Sequence, residues 1–394
     1  MKLAKSFSRL GTETAFEVLA RARALEAQGR KIVHLEIGEP DFDTPSNIRD
    51  AAKKAIDAGY THYGPSAGLP DTRKAIAEYV SRTRGVTYAP EETIIVPGGK
   101  PIIFFTILAL VEPGDEVIYP NPGFPIYESM INYVGGKPVP LTIREELDWD
   151  FDPAEFEKLL SPKTKLVILN SPANPTGGVM SQETLDRVAK ALAKFPDAML
   201  LADEIYSRIV YEGKHLSLLS YPGMKERSIL LDGFSKTWAM TGWRLGYGVG
   251  PQWLIDAIAK LSTNDHSCVP AFSQFAAIEA LRGPQDSVTA MTAEFKKRRD
   301  VIVKGLNSLP GFTCKTPKAA FYVFPSIKGT GLKSKALADA LLAEAGVACL
   351  PGTSFGAMGE GYLRFSYANS VENIEKALSA MNLALPKLTA VGAK

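Results

Sequence analysis

Five short apolar runs of this 394-residue chain end in residues able to do chemistry. TIIVP (93–97) opens into Gly98-Gly99-Lys100, and EVIYP (116–120) into Asn121-Pro122-Gly123-Phe124. KLVILN (165–170) runs into Ser171-Pro172-Ala173-Asn174-Pro175-Thr176-Gly177. AMLLAD (198–203) ends at Asp203, with Glu204, Ile205 and Tyr206 after it, and SILLD (228–232) precedes Gly233-Phe234-Ser235-Lys236. In doubly wound folds the functional loops lie at the carboxyl ends of strands. Brought together there, the five ends supply an acid, a lysine, a tyrosine, an amide and a glycine-rich turn. That set suits pyridoxal phosphate chemistry. It needs a lysine to form the imine, a carboxylate to keep the pyridine nitrogen protonated, and donors to the ring's phenolate oxygen. A helix N-terminus and an arginine would bind the phosphate dianion. A further arginine is the natural fork for an amino acid's α-carboxylate.

The elements around these ends follow an α/β rhythm. The five runs and LGYGV (245–249) alternate with helical patterns at 101–111, 182–194 and 252–262. Apolar strands alternating with helices predict a mostly parallel sheet buried on both faces. Earlier helices are expected at 14–28, ending at Gly29, at about 47–57 and at 70–83. Turn-rich stretches at 38–46 and 61–70 separate them. A long helix at about 286–308 leads out of this region. The remainder, 309–394, has strands at AFYVFP (320–325) and YLRFSY (362–367) and helices near 333–345 and 371–384, the pattern of a smaller α+β domain.

On these residues the chain resembles the class I aminotransferases of fold type I, near the bacterial aspartate aminotransferase branch. The likeness is carried by IGEPDFDTP (37–45), YGPSAGLP (63–70), PGGK (97–100), NSPANPTG (170–177), DEIY (203–206), SKTWAMTGWRLGY (235–247), AFYVFP, PGTSFG (351–356) and YLRFSYA (362–368), in family order over nearly the whole chain. It implies a large α/β domain at 46–285 with a mostly parallel seven-stranded sheet flanked by helices. An N-terminal arm with part of the small domain would occupy 1–45, and a small C-terminal domain 286–394. The implied cofactor is pyridoxal 5'-phosphate. The implied reaction is transamination in two half-reactions between an L-amino acid, aspartate or glutamate favoured, and a 2-oxo acid.

The resemblance also assigns roles. Lys236 becomes the Schiff-base lysine and the carrier of the substrate proton, and Asp203 the partner of the pyridinium nitrogen. Tyr206 and Asn174 would bond the phenolate oxygen. Arg244 and the backbone amides of Gly99 and Lys100 would hold the phosphate, with Ser235 as a further contact. Phe124 matches a ring stacked on the cofactor. Arg364 would grip the α-carboxylate, with Gly38 closing over it and Phe124 and Asn174 bordering the substrate. Tyr63 would reach the phosphate of the neighbouring subunit, which implies a homodimer with shared sites. The Lys100 side chain would favour a distal carboxylate without demanding it. Thr12 and Thr14 lie near the stretch where aspartate-type relatives place small hydroxyl residues over the site.

There are departures from the family pattern. Phe124 stands where many relatives have Trp or Tyr, Gly233 where some have a phosphate-binding Ser, and Pro101 follows Lys100 in the first helical turn. With Phe104 and Phe105 on the same helix, alanine or a larger apolar amino acid is an alternative substrate. A C–S lyase on the same fold would share the whole cofactor set. Singly, each residue also has a plainer reading. Lys236 is one lysine among many, Asp203 caps a helix, Arg364 points outward from its strand, Tyr63 and Phe124 are packing residues, and Asn174 is a turn residue.

Other classes fit less well. Gly352-Thr353-Ser354-Phe355-Gly356 matches the hydrolase G-x-S-x-G pattern, but that fold needs its histidine after the serine. His34, His62, His215 and His266 all precede Ser354. Gly98-Gly99-Lys100 lacks P-loop spacing, and no G-x-G-x-x-G follows a first strand, against a nicotinamide dehydrogenase. A non-enzymatic regulator would need an added DNA-binding module, for which no room precedes the first motif. No metal is expected, since no paired Cys/His spacing occurs. Cys268, Cys314 and Cys349 are odd in number and far apart, which fits a reducing compartment. With no apolar h-region near the start, a cytoplasmic protein is expected. A formal net charge of +2 argues against nucleic-acid or membrane-surface partners. The longest apolar stretch, 102–111, is too short to span a bilayer. The run Lys296-Lys297-Arg298-Arg299 is expected to form one solvated helix face.

Overall fold

A computed structural model describes residues 2–392. The six apolar runs form strands and a seventh joins them. They are β1 (Thr93–Val96), β2 (Glu116–Asn121), β3 (Lys137–Thr142), β4 (Thr164–Asn170), β5 (Met199–Asp203), β6 (Ser228–Gly233) and β7 (Gly246–Val249). Their order is β1-β7-β6-β5-β4-β2-β3. Only β7 runs against its neighbours; the other pairings are parallel.

The side-chain period of two explains why these strands are so uniformly apolar. Ile94, Val96, Leu166, Ile168, Ile229 and Leu231 enter the core shared with helices Lys100–Leu110, Ile126–Val134 and Gln252–Asp265. Their alternate neighbours face the other way. Val167 and Leu169 pack with Leu185, Val188 and Leu192 of helix Gln182–Leu192. Ile95 and Leu230 pack with Ile76 and Val80 of helix Pro70–Arg84 and Ala276 of helix Ala271–Arg282. A sheet covered on both faces leaves only its strand ends for ligands.

A second core holds Phe295, Phe321, Tyr322, Phe365 and Tyr367. It joins helices Asp286–Asn307 and Val371–Gly392 to an antiparallel sheet of Leu350–Pro351, Leu363–Ser366 and Tyr322–Val323. The N-terminal segment is tied in through Val33–His34, which pairs in parallel with Val347–Ala348. Among the described residues no helix is long and apolar enough to cross a membrane.

The basic run is not one solvated face. Lys296 and Lys297 are exposed, but Arg298 and Arg299 are buried. At 100° per residue, four consecutive positions cannot share a face. Arg298 Nη1 lies 2.6 Å from Asp41, with its guanidinium 4.9 Å from the Phe42 ring centroid. Arg299 Nη1 lies 3.0 Å from Glu212 and donates to Pro317 O at 3.1 Å.

Candidate active site

The carboxyl ends of the parallel strands open on a cavity of about 510 Å³. Gly38, Gly99, Lys100, Phe124, Asn174, Asp203, Tyr206, Ser235, Lys236, Arg244 and Arg364 all line it. Tyr63 does not, and is 92% exposed on the surface of its own chain.

Each side chain is delivered by an element that the sequence dictates locally. Asp203 is the last residue of β5, in register with Asn170 at the end of β4. Asn170 donates to Asp203 O at 3.0 Å and to Pro172 O at 3.2 Å, and its Oδ1 accepts from the Asn174 N–H at 2.9 Å. One strand-end amide thus fixes the loop carrying Asn174 against the strand carrying Asp203. β6 ends at Gly233, and the short helix Phe234–Thr237 turns Lys236 into the cavity.

The turn after β1 brings the chain close to Arg244. Gly98 has φ +84°, and a Cβ there would lie 2.1 Å from Arg244 Nη2. A Cβ on Gly246 would lie 2.5 Å from Gly98 C and Gly99 N. Two glycines therefore permit an approach that any side chain would block. Helix Lys100–Leu110 starts at this point, so Gly99, Lys100 and the Arg244 guanidinium border the same corner of the cavity. Pro101 has no N–H and the Ile102 N–H is taken by Gly99 O, which leaves the Gly99 and Lys100 N–H groups for a dianion.

Electrostatics separate the acid from the amine. Asp203 is 5% exposed. Burial pushes its carboxyl up to about 7, against the lowering effect of Tyr127, whose hydroxyl donates to Oδ2 at 2.5 Å, and of the Ile205 N–H. Among the described residues Asp203 has no basic ion-pair partner. Burial pushes the Lys236 amine down to about 8; Glu39 opposes this, and Arg364 and Arg244 add to it. Lys236 Nζ donates to Gly38 O. Behind Asp203, buried Arg84 spans Glu204 Oε2 at 2.8 Å and Asp232 Oδ2 at 2.7 Å. His215 Nε2 and Ser217 Oγ reach Glu204 at 2.8 and 2.5 Å. Although burial works against it, His215 and Arg84 hold Glu204 down at about 2.

Arg364, in strand Leu363–Ser366, is 4% exposed and stacked 4.6 Å from the Tyr322 ring centroid. Its Nη1 donates to Asn174 Oδ1 at 3.2 Å and its Nη2 to Glu36 O. Nη1 and Nη2 each carry a second N–H beyond these bonds, leaving donor capacity for a carboxylate in the cavity. Tyr206 Oη lies 2.8 Å from Tyr322 Oη. Gly38 packs so close to Tyr322 that a Cβ would lie 2.1 Å from its hydroxyl.

Several lining residues carry no sequence signal of their own. Tyr127 follows Phe124 by three residues and Tyr322 lies within AFYVFP, but neither type is distinctive there, and Asn170 is simply the last residue of its strand. The N-terminal segment contributes Glu13, Ala15 and Phe16 rather than Thr12 and Thr14. Thr14 Oγ1 instead bonds Ser354 Oγ at 2.6 Å. Glu13 forms an ion pair with Lys100.

These residues fit pyridoxal phosphate. A buried carboxylate without a cation suits a protonated ring nitrogen, a depressed amine suits imine formation, and the Gly98–Arg244 corner suits a phosphate.

The comparisons agree. The family model described as "Aminotransferase class I and II" matches residues 30–381. The aspartate aminotransferase of Pyrococcus abyssi is 41% identical over 364 residues, covering 91% of this chain and 93% of that one. Aromatic-amino-acid aminotransferase 2 of Thermococcus litoralis is 40% identical, with 91% and 93% covered. The structure of Thermus thermophilus aspartate aminotransferase with maleate superposes with a TM-score of 0.93 at 36% identity, covering 98% of this chain and 100% of that one. A likeness this continuous, running through both cores and every strand end of the cavity, establishes that the chain belongs to the class I and II aminotransferases, transaminases of fold type I that use pyridoxal phosphate.

Proposed function

We propose that the enzyme moves the amino group of aspartate or glutamate to a 2-oxo acid, and back, in two half-reactions at one site. The observation that carries this reading is a pair of cations on one cavity: Arg364 on its strand and Lys100 at the first turn of its helix. Two carboxylates on one substrate call for two such groups. Relatives named aspartate aminotransferases lend support. A second reading, an apolar or aromatic amino acid, is favoured by Phe16, Ile37, Ile103 and Phe124 in the same wall and by the relative named for aromatic amino acids. We propose no lyase activity.

Bound pyridoxal phosphate supplies the electron sink that accepts the charge left when the substrate's Cα–H bond breaks. Arg364 binds the substrate α-carboxylate, with Gly38 over it. Lys236 Nζ would take the proton from the substrate's Cα and deliver it to the cofactor's C4′ carbon, and would move it the opposite way in the second half-reaction. With its proton affinity lowered to about 8, the amine is basic enough to accept a proton and close enough to neutral pH to release it. Asp203, its two oxygens oriented by Tyr127 and Ile205, would keep a proton on the ring nitrogen. Tyr206 and Asn174 would donate to the phenolate oxygen. Arg244, Ser235 and the N–H groups of Gly99 and Lys100 would hold the phosphate, and Phe124 would lie against the ring.

The proposal includes a cytoplasmic homodimer in which Tyr63 serves the partner's phosphate. Its 92% exposure is unusual for a tyrosine with only its own chain to pack on. The chain's 17003 Å² of accessible surface exceeds the roughly 15,000 Å² expected of a compact monomer of this mass. The division into an arm at 1–45, a large domain at 46–285 and a small domain at 286–394 belongs to the same proposal. It is supported by the confinement of the seven-stranded sheet to residues 93–249.

The test is kcat/KM for aspartate, glutamate, alanine and phenylalanine in wild type and Lys100→Ala. Loss of one charge-assisted contact should lower the values for the two acids by about tenfold or more, with alanine and phenylalanine little changed. Poor turnover of both acids by wild type, or an unchanged preference in the variant, defeats the acidic reading.

A further inference from the structure

Glu13 has no place in the reaction just described, yet it lines the cavity and is paired with Lys100. The pair is partly enclosed, with side-chain exposures of 43% for Lys100 and 19% for Glu13. Its halves are mounted differently. Lys100 opens a helix packed on the sheet. Glu13 sits in the link between the turn Lys5–Arg9 and helix Ala15–Glu26. That link is pinned on either side, by Gly11 N–H to Ser129 Oγ at 2.9 Å and by Thr14 Oγ1 to Ser354 Oγ at 2.6 Å. The backbone at Glu13 is therefore held, and its side chain is the part free to turn away from Lys100 toward solvent.

A two-half-reaction enzyme passes donor and acceptor through the same cavity. If one carries a distal carboxylate and the other an apolar side chain, the cavity meets two opposite demands. The acid needs an available cation. The apolar side chain needs that cation neutralised, because an unpaired charge beside it is costly. Phe16, Ile103 and Phe124 line the wall around the pair, and Lys100 Nζ lies 5.7 Å from the Phe124 ring centroid.

We propose that Glu13 is an internal stand-in for the substrate's distal carboxylate. It neutralises Lys100 while an apolar or aromatic side chain occupies the cavity, and it gives Lys100 up when an acidic substrate enters. Glu13 is thus a specificity-determining residue that admits both classes and holds down the preference for acids. The inference rests on the reading that Lys100 serves the distal carboxylate.

The experiment measures dissociation constants of two unreactive probes, maleate (two carboxylates) and hydrocinnamate (one carboxylate and a phenyl ring), on holoenzyme. Glu13→Gln should tighten maleate by about tenfold, the scale of one partly exposed ion pair released and one like charge removed, and leave hydrocinnamate little changed. The ratio of kcat/KM for glutamate over phenylalanine should rise with it. Glu13→Ala, which adds no amide to bond maleate, should shift both in the same direction. In a Lys100→Ala background the Glu13 effect should shrink to what removing one like charge gives alone. Unchanged or weaker maleate binding in both Glu13 variants, or an effect undiminished without Lys100, overturns the proposal. If Lys100→Ala itself leaves maleate affinity intact, the acidic-substrate reading falls and this inference with it. A Lys100 effect without a Glu13 effect sinks the inference alone.

Discussion

Asp203→Asn should separate the structural cost of the buried carboxylate from its chemical use. The carboxyl is pushed up to about 7 from an ordinary 3.8, chiefly by burial. At about 1.4 kcal/mol per tenfold change, that gap amounts to a cost on the order of 4 kcal/mol. A carboxyl raised in this way contributes no cost below pH 3.8. Its cost grows as pH rises toward about 7, because between the two values the folded chain holds a proton that the unfolded chain has released, and it is complete above about 7, where both are ionised. The amide carries no charge and its oxygen still accepts from Tyr127, while its NH2 group loses the bond from the Ile205 N–H, at about 1 kcal/mol. In protein stripped of cofactor, denaturant unfolding should therefore find the variant more stable than wild type at pH 8, by up to ~3 kcal/mol. The gap should shrink as pH falls toward 5. With cofactor bound the order of merit reverses. An amide cannot keep the ring nitrogen protonated, so the single-turnover half-reaction with an amino acid, followed by stopped-flow absorbance, should slow on the order of a hundredfold or more. Parallel pH–stability curves for the two stripped proteins would refute the burial argument. An unchanged single-turnover rate would refute the role of Asp203.

Two further predictions test what surrounds the site. Arg84→Met leaves Glu204 and Asp232 buried without their shared cation, so unfolding free energy should drop by about 3–5 kcal/mol; a loss below about 1 kcal/mol would mean that the network is compensated elsewhere. Mixing inactive Lys236→Ala with an inactive Tyr63→Ala variant should recover part of the wild-type activity, because one hybrid site then has both residues intact. Failure to recover any, with hybrid formation verified by mass, argues against shared sites.

How much was legible in the sequence depended on how far apart the cooperating residues lie. β4, β5 and β6 were visible because burial on both faces demands unbroken Val, Ile and Leu. β3 was not, because Pro138 and Pro140 argue against a strand. It is an edge strand, where residues two apart turn their missing N–H groups to the same, unpaired side. AFYVFP looked like a full strand, yet only Tyr322–Val323 joins a ladder. The residues lining the cavity from strand ends were found because position in a strand is local information. Nothing local marks Glu13, between Thr12 and Thr14, because its partner lies 87 residues away. The burial of Arg298 and Arg299 is equally hidden, since Asp41 and Glu212 are brought to them only by the folded chain.

The central claim is that Lys236 is the residue to which pyridoxal phosphate attaches. It is tested most directly by reducing the holoenzyme with borohydride, digesting it and locating the phosphopyridoxyl mass among the lysine peptides. The account predicts that the visible absorbance band is lost and that the adduct lies on Lys236 alone. An adduct on another lysine with Lys236 unmodified, or no covalent adduct in enzyme that turns over, would contradict it.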